Sequence, residues 1–377
     1  MSGNAFPLNL YCQRIYPMRT VLRKIAVLVL RIAAALFLIA FAVIMYLTVR
    51  EYRPKDIESL TVHSTPGITH EPVILGDEID IVTLNVGYCA LGDNADFFMD
   101  GGKSVSTATA ERFSQNMAGI KGMLSDMDPD IILLQETDQN STRSFHTDET
   151  LEFASAFPYY DHTFAHNFKV DFVPYPIPPI GKVSSGVMTL SRYEISSADR
   201  VALPCSFSWP VKVANLKRCL SVNRIPVQNS DKELVIVNLH LEAYDDGEGK
   251  EAQTKMLAEF LKQEADKGNY VIAGGDFNQS FSGTDTSAYP EYEGKWHCGR
   301  LNQNSFDPRF RFLCDPSAPT CRSLDKPLAG ADKESFQYYL IDGFIVSGGV
   351  NVKSVSTVSY DFRYTDHNPV LIKVTLE

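Results

Sequence analysis

At 377 residues, with 44% apolar and 21% charged side chains, the chain has the make-up of a packed globular protein. It has room for two or three domains, or for one large α/β domain. The charge is unevenly placed: residues 1–50 hold six Lys/Arg and no Asp or Glu, and the rest carries 29 basic against 46 acidic side chains. A body that acidic argues against a dedicated binder of nucleic-acid backbone, which works by neutralising phosphates with Lys and Arg.

The first element is apolar. Residues 32–49 read IAAALFLIAFAVIMYLTV, 18 residues without a charge, and extension back to Ile25 gives 25 residues interrupted only by Arg31. At a rise of about 1.5 Å per residue, either length approaches the ~30 Å hydrocarbon layer. Arg31 then falls near an interface, where its stem can snorkel. A cleavable signal peptide has an apolar core of about 7–15 residues followed by a small-x-small site. The stretch from Met45 to Tyr52 offers no such site. The expectation is a tail over 1–24 and an uncleaved transmembrane helix over 25–49. Arg14, Arg19, Arg23 and Lys24 precede the span and Arg50, Arg53 and Lys55 follow it. This asymmetry favours a cytoplasmic N-terminus and an extracytoplasmic body.

Residues 50–77 are polar, contain Pro54, Pro66 and Pro72, and read as a linker. The domain expected over 78–377 alternates β-like runs with amphipathic helical segments. Strands are expected over 79–86 (IDIVTLNV), 130–136 (DIILLQE), 185–191 (SGVMTLS) and 233–241 (ELVIVNLHL). Others follow over 269–278, 338–348 and 368–376, with helices over 108–127 and 248–268. Many strands with few helices fit a layered α/β sandwich better than a doubly wound sheet. Cys12 precedes the span; Cys89, Cys205, Cys219, Cys298, Cys314 and Cys321 follow it. Cys205/Cys219 or Cys314/Cys321 would close loops of plausible length in an oxidising compartment, and free thiols fit as well. No Cys/His spacing suits zinc.

Chemistry-bearing residues collect where these strands end. Asn85 ends the first, Gln135-Glu136 the second, Asn238-Leu239-His240 another, and Asp276-Phe277-Asn278 the next, with Asp342 and Asp366-His367 completing the set. Each alone is an ordinary strand terminus, turn or core histidine. Together they place carboxylates, amides and imidazoles where one scaffold can converge them. An all-oxygen set of carboxylates and amides suits magnesium, or manganese, rather than zinc or copper. Phosphate hydrolysis needs such an ion, an oriented water and an acid for the leaving oxygen.

The ordered series LNV (84–86), LLQE (133–136), SSGVMTLSR (184–192), VNLHL (237–241), GGDFN (274–278), YYLIDGFIV (338–346) and TDHNPV (365–370) resembles the endonuclease/exonuclease/phosphatase superfamily. That superfamily includes deoxyribonuclease I, sphingomyelinases and inositol polyphosphate 5-phosphatases. The resemblance spans about residues 79–376 and implies a four-layer α/β sandwich of two mostly antiparallel sheets flanked by helices. It implies Glu136, Asn85 and Asp366 as the magnesium-binding set. Asp276 and Asn278 would orient the attacking water and hold a phosphate oxygen, Asp342 would polarise His367, and His240 would contact the phosphate or protonate the leaving group. The general base stays open between the aspartate and histidine roles.

Two departures narrow the branch. Abasic-site endonucleases carry a tyrosine where this chain has Ser184, and they lack a histidine at the place of His240. Lys212, Lys217, Arg218 and Arg224 form a basic stretch before the His240 strand, a candidate substrate contact with a solvated hairpin as the alternative. Residues 94–103 (NADFFMDGGK) and 279–337 are expected at the rim, where Phe97, Phe98 and Met99 either pack on the core or line a cleft. Three functions stay open. They are a membrane-anchored phosphodiesterase or phosphatase acting on a lipid headgroup or small phosphoester, a surface nuclease, and a silent binding domain. Nucleic acid is expected only as substrate.

Overall fold

The computed structural model describes the backbone of residues 9–244 and 247–377, and the side chains of 18–244 and 247–377. Cys12 and Arg14 therefore lie outside the described side chains. The chain forms two units, Met1–Glu51 and Tyr52–Glu377. The first is helix α1 (Asn9–Val49), in which Met18–Val49 is long and apolar enough to cross a membrane, with a mean hydropathy of 2.9. A helix apolar on all sides needs an apolar surround, and this one suits a membrane anchor or a signal sequence.

The second unit begins with β1 (Ile57–Ser59), β2 (Ile79–Asn85), α2 (Ala110–Met127), β3 (Ile131–Asp138), α3 (Glu149–Ala156), β4 (Asp161–Val173) and β5 (Gly181–Ser191). It continues through β6 (Ser197–Ala202), β7 (Cys219–Pro226), β8 (Glu233–His240), α4 (Glu248–Asp266) and β9 (Tyr270–Asp276). Short strands follow: β10 (Gln279–Phe281), β11 (Gly299–Leu301), β12 (Arg311–Leu313), β13 (Cys321–Arg322) and β14 (Tyr338–Tyr339). The last are β15 (Asp342–Val346), β16 (Val350–Thr357) and β17 (Val370–Leu376).

Two main sheets result, ordered β1-β6-β7-β8-β9-β15-β12 and β16-β17-β2-β3-β5-β4. Both are mixed. Each contains a parallel pair, β8 with β9 and β2 with β3, and a parallel pair needs a crossover, supplied by α4 and α2. α2 starts where the Thr109 side chain accepts from the Arg112 amide, and ends at Asp128 in a left-handed conformation followed by Pro129. Its Phe113, Met117, Ile120 and Leu124 cover Val82, Leu84, Ile132 and Leu134 on the outer face of one sheet. α4 covers the other sheet in the same way, with Leu257 and Leu261 on Val235, Val237, Val271 and Ala273. Each such fully buried side chain contributes roughly 1.5–3 kcal/mol.

The layer between the sheets sets up the site. Alternate residues point inward, and along each strand they change character. They read Ile79, Ile81, Thr83, Asn85 on β2; Ile131, Leu133, Gln135 on β3; Leu234, Ile236, Asn238, His240 on β8; and Ile272, Gly274, Asp276 on β9. One end of the sandwich is therefore an aliphatic core and the other a buried polar seam. Across that seam Gln135 Nε2 donates to Asn238 Oδ1 at 2.8 Å, and Asn85 Nδ2 to Asp276 Oδ2 at 3.0 Å.

Two expectations are corrected, and of the two cysteine readings one holds. Residues 52–77 are not a free linker: Ile57–Ser59 pairs with β6, Val73 is fully buried in the inter-sheet core, and His70 sits between the Arg192 carbonyl and Asp161. A three-residue edge strand shows no hydrophobic period, and so it reads as loop. The run 338–348 is two strands, because the chain leaves β14 and joins the large sheet only at Asp342. Cys89, Cys205, Cys219, Cys298, Cys314 and Cys321 are all free thiols, with neither suggested bridge formed.

Candidate active site

Strand register aligns three of the expected residues. His240, Asp276 and Asp342 are direct partners across β8, β9 and β15, so their side chains stand side by side on the inner face. Gly275 makes this possible. A Cβ there would lie 1.9 Å from the Leu239 carbonyl oxygen, so no other residue fits between the two polar strand ends. After Asp276 the chain turns through Asn278 in a left-handed conformation (φ 50°), whose amide N–H donates to Asp276 Oδ1 and whose Nδ2 donates to the Leu241 carbonyl.

The facing sheet supplies the remainder. β3 carries a bulge between Leu134 and Thr137, with Glu136 at φ 54°. The extra residue throws the Glu136 carboxylate out of the pleat toward the site, where it stays about a quarter exposed. Asn85 Nδ2 donates to Glu136 Oε1 at 3.3 Å as well as to Asp276, and Asn85 Oδ1 accepts from the Gly87 amide. Both ends of this amide are thus engaged, and it spaces two carboxylates apart. Asp366 and His367 arrive on the loop before β17. Thr365 Oγ1 anchors that loop to the Asn85 carbonyl, and Cys321 and Arg322 pair with it.

The electrostatics separate the two histidines. His367 Nδ1 lies 2.8 Å from Asp342 Oδ2. Burial alone lowers its basicity, but the Asp342 carboxylate outweighs this and holds the ring well above the ordinary imidazole value, charged at neutral pH. His240 is shifted the other way, well below that value, by burial and then by Arg218, His367 and Arg143. Among the described residues its buried Nδ1 makes no hydrogen bond and lies 4.0 Å from Glu136 Oε1. Both rings face Asp276 Oδ2, His240 Nε2 at 3.4 Å and His367 Nε2 at 3.8 Å. Burial, then the neighbouring Asp342, pushes the Asp276 carboxyl up to about 7. Burial and the Glu136 charge likewise raise Asp366, against the opposing pull of His367.

This donor set fits a hard divalent cation. Glu136 and Asp366 offer oxygen ligands and repel one another, and among the described residues no salt bridge ties either to a lysine or arginine, although the Arg322 charge acts on Asp366. Among the described residues the buried Asp342 Oδ1 atom also accepts no hydrogen bond.

All eight expected site residues therefore converge: Asn85, Glu136, His240, Asp276, Asn278, Asp342, Asp366 and His367. The basic stretch divides. Arg218 is 4% exposed, its charge acts on His240, and among the described residues its Nε and Nη1 donate no hydrogen bond. Arg224 lies toward the other end of β7, where it is bound to Glu233 and Glu264, so its candidacy for substrate contact is withdrawn. Lys212 is half-buried on a short helical turn, its carbonyl accepting from Lys217 Nζ, and no contact ties it to the site.

Other residues at the site have no strand-end signature. Arg143 grips Asp138 with two 3.0 Å hydrogen bonds and lies 3.7 Å over the Tyr88 ring. Tyr244 Oη donates to Asp100 Oδ1 at 2.8 Å, and burial, with Asp366 and Glu136 nearby, raises Asp100 to about 6. Asp100 belongs to the expected rim segment, whose Phe97 packs on the Tyr88 cluster while Met99 is exposed. The 279–337 region contributes Trp296, whose ring meets Tyr339 and whose Nε1 donates to the Ala243 carbonyl.

A family model described as the endonuclease/exonuclease/phosphatase family matches residues 82–367. The solved endonuclease/exonuclease/phosphatase from Beutenbergia cavernae DSM 12333 is similar at 17% identity, with 79% of this chain and 72% of that one covered and a TM-score of 0.52. The endonuclease/exonuclease/phosphatase from Bacteroides vulgatus is similar at 15% identity, with 80% and 100% covered and a TM-score of 0.50. These two likenesses show the fold. A search of curated proteins found no match. Members of the matched family are metal-dependent phosphoesterases, and the match extends over well more than half of the chain. The chain belongs to the endonuclease/exonuclease/phosphatase family.

Proposed function

We propose that the protein is a single-pass, membrane-anchored, magnesium-dependent phosphoester hydrolase, with its catalytic unit on the extracytoplasmic side. Its substrate on this reading is a lipid headgroup or another small phosphoester. The observation that carries the hydrolase reading is the Asp276 carboxylate. It is buried at the seam of the two sheets and faced by one charged and one neutral imidazole.

Glu136 and Asp366 would hold the cation, with Asn85 keeping Glu136 and Asp276 apart, and the ion would supply positive charge to the phosphate. Asp276 has proton affinity matched to neutral pH and is the candidate acceptor of a proton from the attacking water. Asn278 positions it through the backbone N–H on Oδ1. His367, kept charged by Asp342, presents Nε2–H to a phosphate oxygen. Arg218 and the neutral His240 face the same space, where preorganised donors act on charge that develops during in-line attack. The anchor reading rests on α1, whose Met18–Val49 stretch has a span's length and composition.

The test assays the purified full-length chain in detergent with magnesium on sphingomyelin, inositol phosphates, RNA and plasmid DNA. Hydrolysis of a lipid or small phosphoester that vanishes in Asp276→Ala supports the reading. Plasmid nicking with the same dependence replaces it by the nuclease, and metal binding without turnover of any phosphoester leaves a silent binding domain.

A further inference from the structure

We infer that the rim of the site is a membrane-docking surface, so that the substrate phosphoester is presented from a lipid bilayer; this rests on the anchored-hydrolase reading above. Two loops form the surface. The β4–β5 tip reads Pro174-Tyr175-Pro176-Ile177-Pro178-Pro179-Ile180, with no charged side chain, and Tyr175 and Ile177 are 69% and 94% exposed. The loop between β6 and β7 carries Trp209 and Val211, each more than half exposed. Other exposed apolar side chains of the unit need no explanation when they stand singly, whereas clustered ones mark an interaction surface.

Both loops belong to the site end of the sandwich. The β4–β5 tip lies beyond Ser185, which pairs with Asp138 just past the Glu136 bulge. The second loop leads into Arg218 and Cys219, beside the Leu220–Leu239 pair next to His240. Phe98 links the tip to the site's edge: its ring stands edge-on to Tyr175 at 6.0 Å, two residues before Asp100.

The occupant is argued from the chain itself. Only Arg50 and Glu51 separate the end of the apolar helix from Tyr52, the first residue of the catalytic unit. Two residues extended span about 7 Å. Tyr52 is anchored at the site end, its ring 6.1 Å from His166 and within reach of Lys169 and Arg200, and the Ala202 amide donates to the Asp56 carbonyl. On the anchored reading the chain therefore leaves the membrane-spanning helix for the catalytic unit through Tyr52, a residue at the end of that unit that carries these loops. Tyr and Trp with apolar neighbours are the side chains that favour the headgroup boundary. Lys169, Lys182 and Lys212 flank the loops in an otherwise acidic unit and suit anionic headgroups.

The experiment uses the full chain reconstituted in phosphatidylcholine/phosphatidylserine vesicles with brominated acyl chains. Alkaline carbonate extraction first checks that the chain is integrated; release from the vesicles contradicts the anchor and the docking proposal together. In the integrated protein, Trp209 fluorescence is isolated by difference from Trp209→Phe, and quenching by bromine is the expected result. An unquenched Trp209 overturns docking while leaving the anchor intact. Crosslinking between two copies that disappears in Ile177→Asp, without quenching, assigns the surface to self-association instead. The double variant Tyr175→Asp/Ile177→Asp should lose about tenfold or more of its activity on a vesicle-embedded phosphoester, each tenfold being 1.4 kcal/mol of interfacial affinity. It should keep its rate on a water-soluble short-chain substrate within about twofold, the scatter of unrelated surface substitutions. Equal losses on both substrates would contradict the inference.

Discussion

Arg218 and Arg224 stand six residues apart in the chain, one just before β7 and one on it, and they live by opposite rules. Arg224 is neutralised by Glu233 and Glu264, and Glu264 takes further hydrogen bonds from Lys267 and Asn269. Arg218 is more deeply buried, and among the described residues two of its guanidinium nitrogens make no hydrogen bond beside a neutral histidine. The same contrast divides the inter-sheet layer, aliphatic at one end and charged at the other. A buried charge left unpaired costs stability unless a ligand completes it. One end of this sandwich holds the fold; the other keeps chemical groups poised at that expense.

Substitutions should therefore separate activity from stability according to the end they touch. The largest effect is expected from Asp276→Asn, which should lower turnover by about a thousandfold. Its thermal midpoint should hold or rise, because a carboxylate crowded by Asp342 is gone; a loss of activity only in proportion to unfolding would break the contrast. Glu136→Gln should weaken divalent-cation affinity in calorimetry by at least about 10–100-fold, the loss seen when only a residue supporting a metal ligand is removed. Unchanged affinity would remove Glu136 from the cation site.

The arginine pair gives the sharpest comparison. Arg218→Met should cost about 100-fold in activity, the low end for loss of a preorganised donor, with denaturant stability unchanged or improved. Arg224→Met should do the reverse, losing about 2 kcal/mol because Glu264 loses its arginine and keeps only Lys267 and Asn269 as partners, with the activity of the folded fraction intact. The smallest effect concerns pH. Burial opposes ionisation of Glu264, but hydrogen bonds from Arg224, Lys267 and Asn269 hold its carboxyl down at about 2. Its contribution is complete above the unfolded value of about 4.3 and fades as pH falls from there toward 2. Allowing for solvent screening at this partly open cluster, about 1–2 kcal/mol should be lost across that window. The loss should be absent in Glu264→Gln.

Much of the site was legible because strand-end residues inherit their direction from the pleat. Once IDIVTLNV and ELVIVNLHL read as strands, Asn85 and His240 had to face the same way as the aliphatic residues before them. The two crossover helices were legible from their period. Less visible were residues placed by irregular backbone. Arg143 lies within a short helical turn, and Asp100 ends another. Tyr52 to Val73 joins the body through an edge strand and one buried valine. The basic stretch misled for a metric reason: six residues of strand cover roughly 20 Å, which carries Arg224 away from the end that Arg218 occupies.

The most direct test of a metal-dependent site centred on Asp276 is the initial rate of phosphoester hydrolysis by the full-length protein and Asp276→Asn, side by side, in magnesium and in chelator. Turnover by the unsubstituted protein in magnesium alone is the predicted result. Hydrolysis that survives either the chelator or the substitution would contradict it.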